Sequence, residues 1–540
     1  MNARDTTHFP SAAHAVVLIG CGPRSRSTLV SSPELVGFKA HNLARMAALG
    51  LPVPPAFVLG TGWCADPRAL EPGVWQHALG VLEHASGARF GDAGRPLLLS
   101  VRSGAPVSMP GMMETLLNIG LADSTLPGFL RATGNPRLVW DAYRRLVAGF
   151  GEVVMGVPAE VFEADLAQIA AGRDERELDF AELRALTRAH LASVQRVAGQ
   201  PFPQSPRAQL EQAIAAVFAS WQAPKAQEYR RLNGLSDAIG TAVTVQRMVF
   251  GNAGGTSGAG VGFTRHPSTG EPAPWVDFLF NAQGEDVVSG RRSAQGHDAL
   301  AATAPSVWQA LLMATQQLEQ VFGDMQDFEF TVENGQLWLL QTRAGKRTAQ
   351  ACARIALDLV DEGVISADEA RRRTEGLDEE QLTMQRVVTD EGDATPLARA
   401  VSAAHGVAIG EIALDEERAR ARQAAGVAVL LLRQDAETRD LAALDIAAGL
   451  LTARGARTAH AAVVARQLGK VCLVGCEQLG IDLPRRGVRL AGVELAEGEV
   501  LTLDGGSGAI YRGAARTVRE VPQELMRRLA ALREQFEGSL

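Results

Sequence analysis

Two carboxylates on one predicted strand are the first candidates for chemistry. Residues 327–332 read Asp-Phe-Glu-Phe-Thr-Val, and this alternation of polar and apolar residues places Asp327 and Glu329 on the same face of the strand. Paired carboxylates suit Mg²⁺ held against nucleotide phosphates, because this ion prefers hard oxygen ligands and keeps several waters. A solvated strand face is the alternative that these residues alone leave open.

A hairpin after this strand determines which residues face the acids. Asn334-Gly335 is a strong turn signal. We predict a three-residue loop over residues 333–335, which pairs position 327 with position 341 and sets the Gln341 carboxamide beside the acids. A two-residue loop would turn Gln341 away. The predicted loop therefore adds a carboxamide to the two carboxylates.

A histidine in the C-terminal third could accept a phosphoryl group. Thr458 can cap a helix that starts at Ala459, which would place His460 in the first helical turn. The free N–H groups and the positive end of the helix dipole favour a dianion there, and a neutral imidazole can act as a nucleophile. Nearby arginines make the segment basic within an acidic protein: Arg454, Arg457 and Arg466. A lone helix histidine is otherwise usually structural.

Two glycine-rich loops could bind phosphates. The first follows the apolar strand 97–99 and runs from Val101 to Met113, with Arg102 as a fixed charge. A strand that opens into such a loop can point backbone N–H groups at a phosphate chain. The second loop, residues 251–260, has the same character. Each could be an ordinary turn, but two in one predicted domain favour nucleotide binding.

The composition excludes several classes of protein. The 540-residue chain is 46% hydrophobic, and 53 Lys plus Arg against 61 Asp plus Glu give a formal net charge of -8. These values are typical of a soluble globular protein with about three or four domains. The sequence has no basic stripe for a general nucleic-acid binder and no apolar run near the roughly 18 residues of a membrane span. Five scattered cysteines and the lack of a signal peptide predict a cytoplasmic protein.

Changes in composition divide the chain into predicted segments. Glycine and proline are sparse over residues 112–235, which we predict to be helical, whereas β-branched and aromatic runs between glycine-rich loops predict a sheet over 236–345. A charged helical linker is predicted over 346–395. Strands that alternate with helices over 396–515 predict a compact α/β domain, and residues 516–540 read as an amphipathic helix. The predicted class is α/β and α+β multidomain.

Several segments resemble, in order, the pyruvate phosphate dikinase family, a group that includes phosphoenolpyruvate synthase. The resemblance runs from about Leu35 to Gly513. It is carried by residues 97–104 (LLLSVRSG), 108–115 (SMPGMMET), 230–234 (RRLNG), 248–252 (MVFGN), 261–265 (VGFTR), 267–271 (PSTGE), 281–288 (NAQGEDVV) and 340–343 (LQTR). The resemblance implies an ATP-grasp nucleotide-binding domain over 1–345 with a helical insertion, followed by a mobile (swivelling) phosphohistidine domain over 396–515.

The family's reaction assigns roles to particular residues. ATP phosphorylates a histidine through a pyrophosphoryl intermediate, inorganic phosphate takes one phosphoryl group as pyrophosphate, and AMP leaves. By resemblance, Lys39 and Arg102 are the phosphate-binding cations, Arg343 supports the phosphates and His460 is the carrier. The implied metal and nucleotide ligands are Asp327, Glu329 and Gln341.

Two segments and one further residue depart from the family pattern. Where the family has Gly-Gly-Lys-Gly, residues 37–40 read Gly-Phe-Lys-Ala, so side chains crowd a loop that glycine would leave open. Where the family has Gly-Gly-Met-Thr-Ser-His, residues 455–460 read Gly-Ala-Arg-Thr-Ala-His, and the added Arg457 could hold a phosphohistidine more tightly. Asp277 replaces a glutamate. The predicted surroundings of the phosphohistidine are Thr458, Arg454 and Arg457.

The family continues into a (β/α)₈ barrel of typically about 250 residues that binds pyruvate or phosphoenolpyruvate, whereas this sequence stops soon after the predicted phosphohistidine domain. We therefore expect only the nucleotide half-reaction in this chain, with pyruvate or another small acceptor bound by a separate partner subunit. We expect that partner to dock on an exposed stripe of the tail helix formed by Leu525, Leu529 and Phe536. Packing of the helix against the mobile domain is the alternative.

Two other functions stay open. A non-catalytic paralogue could bind nucleotide and regulate a full-length dikinase through mixed dimers, which the altered residues Phe38 and Ala459 motivate. A regulator, however, has no chemical need for His460. In the other alternative, water replaces inorganic phosphate, as in phosphoenolpyruvate synthase. The expected ligands are ATP, AMP, Mg²⁺, inorganic phosphate and pyrophosphate; a homodimer stays open, and neither nucleic acid nor membrane is an expected partner.

Overall fold

The computed structural model describes residues 14–22, 32–107, 109, 113–288, 295–388, 395–435, 440–455, 457 and 460–537. These residues form two compact units of helices and strands. The first unit extends to Val249 and also includes Trp338–Gln341, and the second comprises Phe250–Leu337 and the chain from Thr342 onwards. The predicted mixed α/β multidomain class is therefore confirmed.

The first unit opens with short strands and helices around one antiparallel sheet. They are β1 Val16–Ile19, α1 Pro33–Val36, α2 Phe38–Ala48, β2 Ala56–Leu59, α3 Pro72–Ser86, β3 Arg89–Phe90, β4 Pro96–Leu97, β5 Leu99–Gly104 and β6 Thr115–Ile119. The sequence of β2, Ala-Phe-Val-Leu, is buried at every position, so both faces of the sheet are covered there. Helix α2 ends before Gly50, whose φ of 77° is a left-handed conformation that favours glycine.

A run of helices follows, and the chain then returns to the first sheet. The helices are α4 Leu126–Thr133, α5 Pro136–Val153, α6 Ala159–Ala170, α7 Phe180–Ala198, α8 Pro206–Ala219 and α9 Pro224–Leu232. A capping box starts α7, in which Asp179 and Glu182 exchange side-chain to backbone hydrogen bonds. The strand β7 Ala242–Arg247 completes a sheet of order β1-β2-β7-β5-β6. Within it Arg102 pairs with Thr115 of β6 and Thr244 of β7, so it lies on an inner strand.

A second antiparallel sheet carries the acidic candidates. Its segment contains β8 Gly258–Phe263, β9 Trp275–Phe280, α10 Gly284–Val288, β10 Gln295–Gly296, α11 His297–Thr303, α12 Pro305–Phe322, β11 Gln326–Glu333 and β12 Gln336–Ala344. The strand order is β10-β9-β8-β11-β12. Asp327 pairs with Phe263 of β8, and Glu329 pairs with Val261. The two acids therefore lie on an inner strand.

Glycines in β8 make room for aromatic rings on the neighbouring strands. A Cβ atom on Gly258 would clash with the Phe278 ring, and one on Gly260 would clash with the Phe330 ring. The two rings stack with their centroids 5.7 Å apart. Glycine lowers strand propensity, so its repetition in β8 reflects the close approach of these rings.

The hairpin between β11 and β12 differs from the prediction. Its turn has two residues, Asn334 and Gly335, with φ of 50° and 77°, so the three-residue loop predicted over 333–335 is wrong. Asn and Gly both tolerate the positive φ that a two-residue type I′ turn demands. Farther along, the Gly345 N–H donates to the Met325 carbonyl at 2.9 Å.

An eight-stranded sheet forms the C-terminal domain of the second unit, and short elements connect it to the preceding sheet. The connecting elements are α13 Ala349–Asp361, α14 Ala367–Arg373, α15 Glu379–Leu382 and β13 Met384–Val387. The domain contains β14 Ala398–Arg399, β15 Val401–Ala404, β16 Val407–Ala413, α16 Glu416–Ala424, β17 Val429–Arg433, α17 Leu441–Ile446, β18 Gly449–Thr452, α18 His460–Gln467, β19 Val471–Val474, β20 Leu479–Asp482, β21 Gly487–Leu490, β22 Val493–Ala496, β23 Val500–Asp504 and β24 Ala509–Arg512.

The centre of this domain is parallel. The sheet order is β14-β24-β23-β16-β17-β18-β19-β15, and the neighbouring pairs from β16 to β19 are parallel. Residues 429–432 of β17 and all of β18 are buried and almost entirely aliphatic, as expected for parallel strands between helices. Helix α18, which begins at His460, follows one of these parallel strands.

The C-terminal segment returns to the connecting helices. β25 Thr517–Glu520 pairs with β13, and α19 Gln523–Glu537 packs on α13. Leu525 and Leu529 are only 8% and 2% exposed, so the predicted docking stripe is wrong for these two residues. The alternative packing against the mobile domain is wrong as well, because the apolar cluster around them comes from the connecting helices. The Phe536 side chain lies outside the described residues. No helix in the described ranges combines the length and apolar character needed to cross a bilayer.

We expect Leu529→Ala to loosen the contact between α19 and α13. Truncation of a buried leucine costs about 2–5 kcal/mol of unfolding free energy, because it removes apolar contacts and leaves a cavity. Urea denaturation of the full chain measures the effect. Met313→Ala is the control, since Met313 is 62% exposed and surface changes cost within about 0.5 kcal/mol. Equal effects of the two substitutions would show that the helix contact is not stabilising.

Candidate functional site

The predicted site residues divide between the two units. The first unit contains Lys39, Arg102 and Gln341, and the second contains Asp327, Glu329, Arg343, Arg454, Arg457 and His460. Different strands and turns position the residues of the two sets.

Lys39 lies in the first turn of α2, where the helix is held against the end of β5. The Phe38 N–H donates to the Ala105 carbonyl at 2.9 Å. Gly37, the residue before the helix, has a φ of 78°, and a Cβ atom there would clash with the carbonyl of Gly104. Only glycine therefore fits at position 37. The close contact of Gly37 with Gly104 places the start of α2, with Lys39, beside β5, the strand that carries Arg102.

Arg102 meets one of the other predicted residues. Its Nη2 donates to Oε1 of Gln341 at 3.4 Å, the long end of the hydrogen-bond range. Gln341 is buried, and the strand around it is tied to the first unit by the Leu339 N–H, which donates to the Pro52 carbonyl at 2.7 Å. The first unit thus presents a guanidinium with a carboxamide partner, a combination that can donate to phosphate oxygens.

Asp327 is a buried carboxylate with a cationic partner. Its Oδ2 accepts a hydrogen bond from Nε of Arg343 at 2.9 Å. Burial raises the pKa of Asp327 above its usual range, and the charge of Arg343 opposes that shift. Arg343 therefore keeps Asp327 more acidic than burial alone would allow.

Glu329 is the second acid on the strand. It is half-buried, and its charge adds to the rise in the pKa of Asp327, so the two carboxylates lie close enough to interact. Among the described residues, no group of three or more His, Cys, Asp or Glu side chains could hold a metal ion. Mg²⁺ still fits the donor chemistry, because it is commonly bound by one or two carboxylates together with waters and substrate phosphates.

The segment before the candidate histidine is described only in part. Thr458, the predicted helix cap, lies outside the described residues, and so does the side chain of His460. The described backbone places His460 as the first residue of α18. Arg454 is 59% exposed, with Nη1 3.7 Å from Oδ2 of Asp435. Arg454 is therefore a surface residue in this conformation.

Arg457 contacts the second sheet. Its Nε donates to Oδ1 of Asp277 at 2.7 Å, and its Nη2 donates to the Val276 carbonyl at 2.8 Å. The guanidinium carbon lies 4.3 Å from the centroid of the Trp275 ring, within cation–π range. Asp277 and Arg457 were both noted in the sequence as departures from a family pattern, and the structure pairs them.

Arg466 has a role that its sequence context did not indicate. Its guanidinium is buried, and its Nε and Nη2 donate to the Ala403 carbonyl at 3.1 and 2.7 Å. It also lies 5.2 Å from the ring centroids of Phe263 and Trp275. Burial lowers the pKa of Arg466 to about 10, so it remains a cation at neutral pH. The burial of Arg466 could have been suspected from the sequence, because the residues around it on the predicted helix are mostly apolar.

Two histidines that sequence reasoning missed meet in the same region. The His266 ring lies 5.1 Å from the His405 ring, edge to face, and 5.2 Å from the Trp275 ring. Burial is the main cause that lowers the pKa of His266 to about 3, and the charges of His405, Arg466 and Arg457 add to it. Nδ1 of His266 accepts backbone N–H bonds at 3.2 Å, as a neutral imidazole can. No spacing in the sequence links the two histidines.

We expect acid to weaken the second unit through His266. Its pKa falls from the ordinary 6.5 to about 3 in the folded protein, so the unfolded chain binds the extra proton between these values. The stabilising contribution is therefore complete above about pH 6.5 and is lost as the pH falls towards 3. Melting temperatures at pH 7.5 and 5.0 test this. His266→Gln should reduce the difference between the two, whereas the exposed His84→Gln should not; equal acid sensitivity in all three proteins would refute the assignment.

Comparison with known proteins identifies the family. The model "Pyruvate phosphate dikinase, AMP/ATP-binding domain" matches residues 72–305 and 304–363, and the model "PEP-utilising enzyme, mobile domain" matches residues 427–508. The chain is 42% identical over 505 residues to pyruvate, phosphate dikinase of Clostridium symbiosum, which covers 90% of this chain and 57% of the relative.

Other relatives give the same result. Pyruvate, phosphate dikinase 2 of Zea mays is 41% identical over 491 residues, which is 89% of this chain and 56% of the relative. The enzyme of Rhizobium meliloti (strain 1021) is 41% identical over 503 residues, again 89% and 56%. The chain thus spans little more than half the length of these curated relatives. With its AMP/ATP-binding and mobile domains both matched, the chain belongs to the pyruvate phosphate dikinase family.

Proposed function

We propose that this chain is an ATP-dependent phosphotransferase that carries out the nucleotide half-reaction of its family, with His460 as the phosphoryl carrier. The observation that carries the proposal is the presence in one chain of an AMP/ATP-binding domain and a mobile domain, with a histidine at the first residue of α18 in the latter. A helix N-terminus stabilises the negative charge that a phosphohistidine brings.

The proposed reaction has two steps, a pyrophosphoryl transfer to the histidine and a phosphoryl transfer to inorganic phosphate. An imidazole nitrogen of His460 attacks the β-phosphorus of ATP, the bond from that phosphorus to the α,β-bridging oxygen breaks, and AMP leaves with that oxygen. An oxygen of inorganic phosphate then attacks the terminal phosphorus of the pyrophosphoryl group. The bond from that phosphorus to the bridging oxygen breaks, pyrophosphate leaves, and one phosphoryl group stays on His460. Water in place of phosphate in the second step is the phosphoenolpyruvate-synthase-like alternative.

The proposal gives each predicted domain a role. Residues 1–345 are an ATP-grasp domain with a helical insertion over 112–235, residues 346–395 are the helical linker, and residues 396–515 carry the phosphoryl group. Lys39 and Arg102 bind the phosphates, and the hydrogen bond from Arg102 to Gln341 supports this assignment for the arginine.

Mg²⁺ would be held by Asp327, Glu329 and Gln341, whose side chains offer oxygen donors. The ion neutralises charge on the nucleotide phosphates when bound. The charge of Arg343 and its 2.9 Å hydrogen bond oppose the rise in the pKa of Asp327 that burial causes, and in this way the chain itself favours the charged form of a metal ligand.

We expect Arg343→Met to make nucleotide binding depend on pH. Removal of the cation raises the pKa of Asp327 further, so more of the carboxyl is protonated at pH 6.5 than at pH 8.0. Calorimetric titration with ATP and Mg²⁺ should show weaker binding at pH 6.5, with partial recovery at pH 8.0. Arg343→Lys keeps the charge and should lack this pH dependence. A loss that is equal at both pH values would mean that Arg343 contacts only the phosphates.

The final acceptor in this proposal is pyruvate or another small compound, and the protein acts in the cytoplasm. The nucleotide half-reaction does not depend on the identity of that acceptor, so the two can be tested apart.

Incubation of the purified chain with Mg²⁺ and radiolabelled ATP tests the central step. With inorganic phosphate present, we expect AMP, pyrophosphate and acid-labile label on the protein, and His460→Ala should lose the label and at least about a thousandfold of the AMP formation rate, because no other group accepts the phosphoryl. His77→Ala, in α3, is the matched control and should behave as the wild type.

Two outcomes would change the assignment. Nucleotide binding without any product would favour the regulatory paralogue. Formation of AMP and label without a requirement for inorganic phosphate would favour the water-dependent reaction.

A further inference from the structure

The mobile domain meets the AMP/ATP-binding domain along β9, and an arginine makes the central contact. Arg457 belongs to the former, and Trp275, Val276 and Asp277 belong to the latter. Its guanidinium donates to the Asp277 carboxylate at 2.7 Å and to the Val276 carbonyl at 2.8 Å, and it lies over the Trp275 ring at 4.3 Å. One side chain therefore makes an ion pair, a neutral hydrogen bond and a cation–π contact with three consecutive residues.

The contact is well shielded from water. The Arg457 side chain is 16% exposed and the Asp277 side chain is 3% exposed. A surface ion pair is worth little, but the loss of one partner from a buried pair leaves an uncompensated charge and is strongly unfavourable. Attraction between the two groups offsets the cost of removing them from water, so the pair favours the docked arrangement only while both members are present.

Two further contacts lie beside this pair. The buried Arg466, in α18, packs against the rings of Phe263 and Trp275, and it donates to the Arg457 carbonyl at 3.2 Å. The ring of His405, from the eight-stranded domain, meets His266 of the AMP/ATP-binding domain. The buried Arg466 and the aromatic and imidazole rings beside the ion pair limit its access to water.

Arg457 is close in sequence to the candidate carrier. It precedes His460 by three residues, and His460 begins the helix that contains Arg466. Arg457 therefore anchors the chain three residues before α18 begins, while Arg466 anchors the helix itself. In this arrangement the guanidinium of Arg457 is engaged by the second sheet, which argues against its use as a ligand of the phosphohistidine.

We infer that Arg457 is a positioning residue: it holds the mobile domain against strand β9 through Asp277 and Trp275, so that the segment leading to His460 is presented to the AMP/ATP-binding domain for phosphorylation. The inference rests on the proposed function for its kinetic consequence. The docking contact itself can be measured independently of any turnover.

A double-mutant cycle on the full chain tests the inference. Single-turnover formation of phosphohistidine from ATP, Mg²⁺ and inorganic phosphate should slow at least tenfold in Arg457→Met and in Asp277→Leu, because each substitution removes one member of the buried ion pair. The double variant replaces the pair by apolar side chains and should be no slower than the slower single variant. Multiplication of the two effects, to about a hundredfold, would mean that the residues act independently and would overturn the inference.

A distance measurement separates positioning from chemistry. Spin labels at Met313→Cys, in α12, and Leu483→Cys, in the C-terminal domain, report on the two domains, since both sites are more than half exposed. The background replaces the partly buried native cysteines by serine: Cys21, Cys64 and Cys352. We expect a single narrow distance distribution in the wild-type background and a broader one, with longer distances, after Arg457→Met or Asp277→Leu.

The control is Arg489→Glu, which changes an exposed ion pair with Glu494 on the C-terminal domain and should alter neither readout. Slower phosphorylation by Arg457→Met with an unchanged distance distribution would overturn the inference and assign the arginine to the phosphoryl group. If the wild-type chain formed no phosphohistidine, the proposed function would fail, whereas the distance distributions would still decide whether Arg457 holds the domains together.

Discussion

The second unit depends on one constraint, which is that a charge can be buried only with a partner. Asp327 is buried beside Arg343, and Asp277 is buried beside Arg457. Arg466 has a backbone carbonyl and two aromatic rings as its neighbours. Each arrangement ties residues that are far apart in the chain, because the desolvation cost of the charge is offset only when the partner is in place. The position of each buried acid therefore depends on the position of its arginine, and on the domain that carries that arginine.

The aromatic ring of Trp275 is central to this arrangement. It lies within 4.3 Å of the Arg457 guanidinium carbon and 5.2 Å of that of Arg466, and the neutral His266 ring is 5.2 Å away. A ring face attracts cations through its quadrupole without adding a titratable charge of its own. The negative face of the ring therefore offsets part of the repulsion between the two arginines, which a purely aliphatic surface would not do. Burial, with a smaller contribution from the cationic surroundings, lowers the pKa of the neighbouring His266.

Local patterns predicted much of this structure, and long-range contacts account for most of the errors. The alternation around Asp327 and Glu329 correctly indicated a strand, because side-chain direction follows from strand geometry alone. The predicted hairpin length was wrong, since the dipeptide Asn334-Gly335 is compatible with more than one turn length. The burial of Leu525 and Leu529 could not be read from an amphipathic pattern, which shows an apolar face but not what covers it. The contacts of His266 and Arg457 join segments that only the folded chain brings together.

The pairing of β13 with β25 brings the two ends of the eight-stranded domain together. The chain enters the eight-stranded domain after β13 and leaves it before β25, and these two strands are antiparallel neighbours. The Val388 N–H donates to the Arg516 carbonyl at 3.0 Å, so the entrance and exit of the domain are adjacent in space. The domain is therefore an insertion in a continuous scaffold made by α13, the two paired strands and α19. A short turn in its place would restore an ordinary β-hairpin, which means that evolution could gain, lose or exchange this domain as a single module without rebuilding the body that holds it.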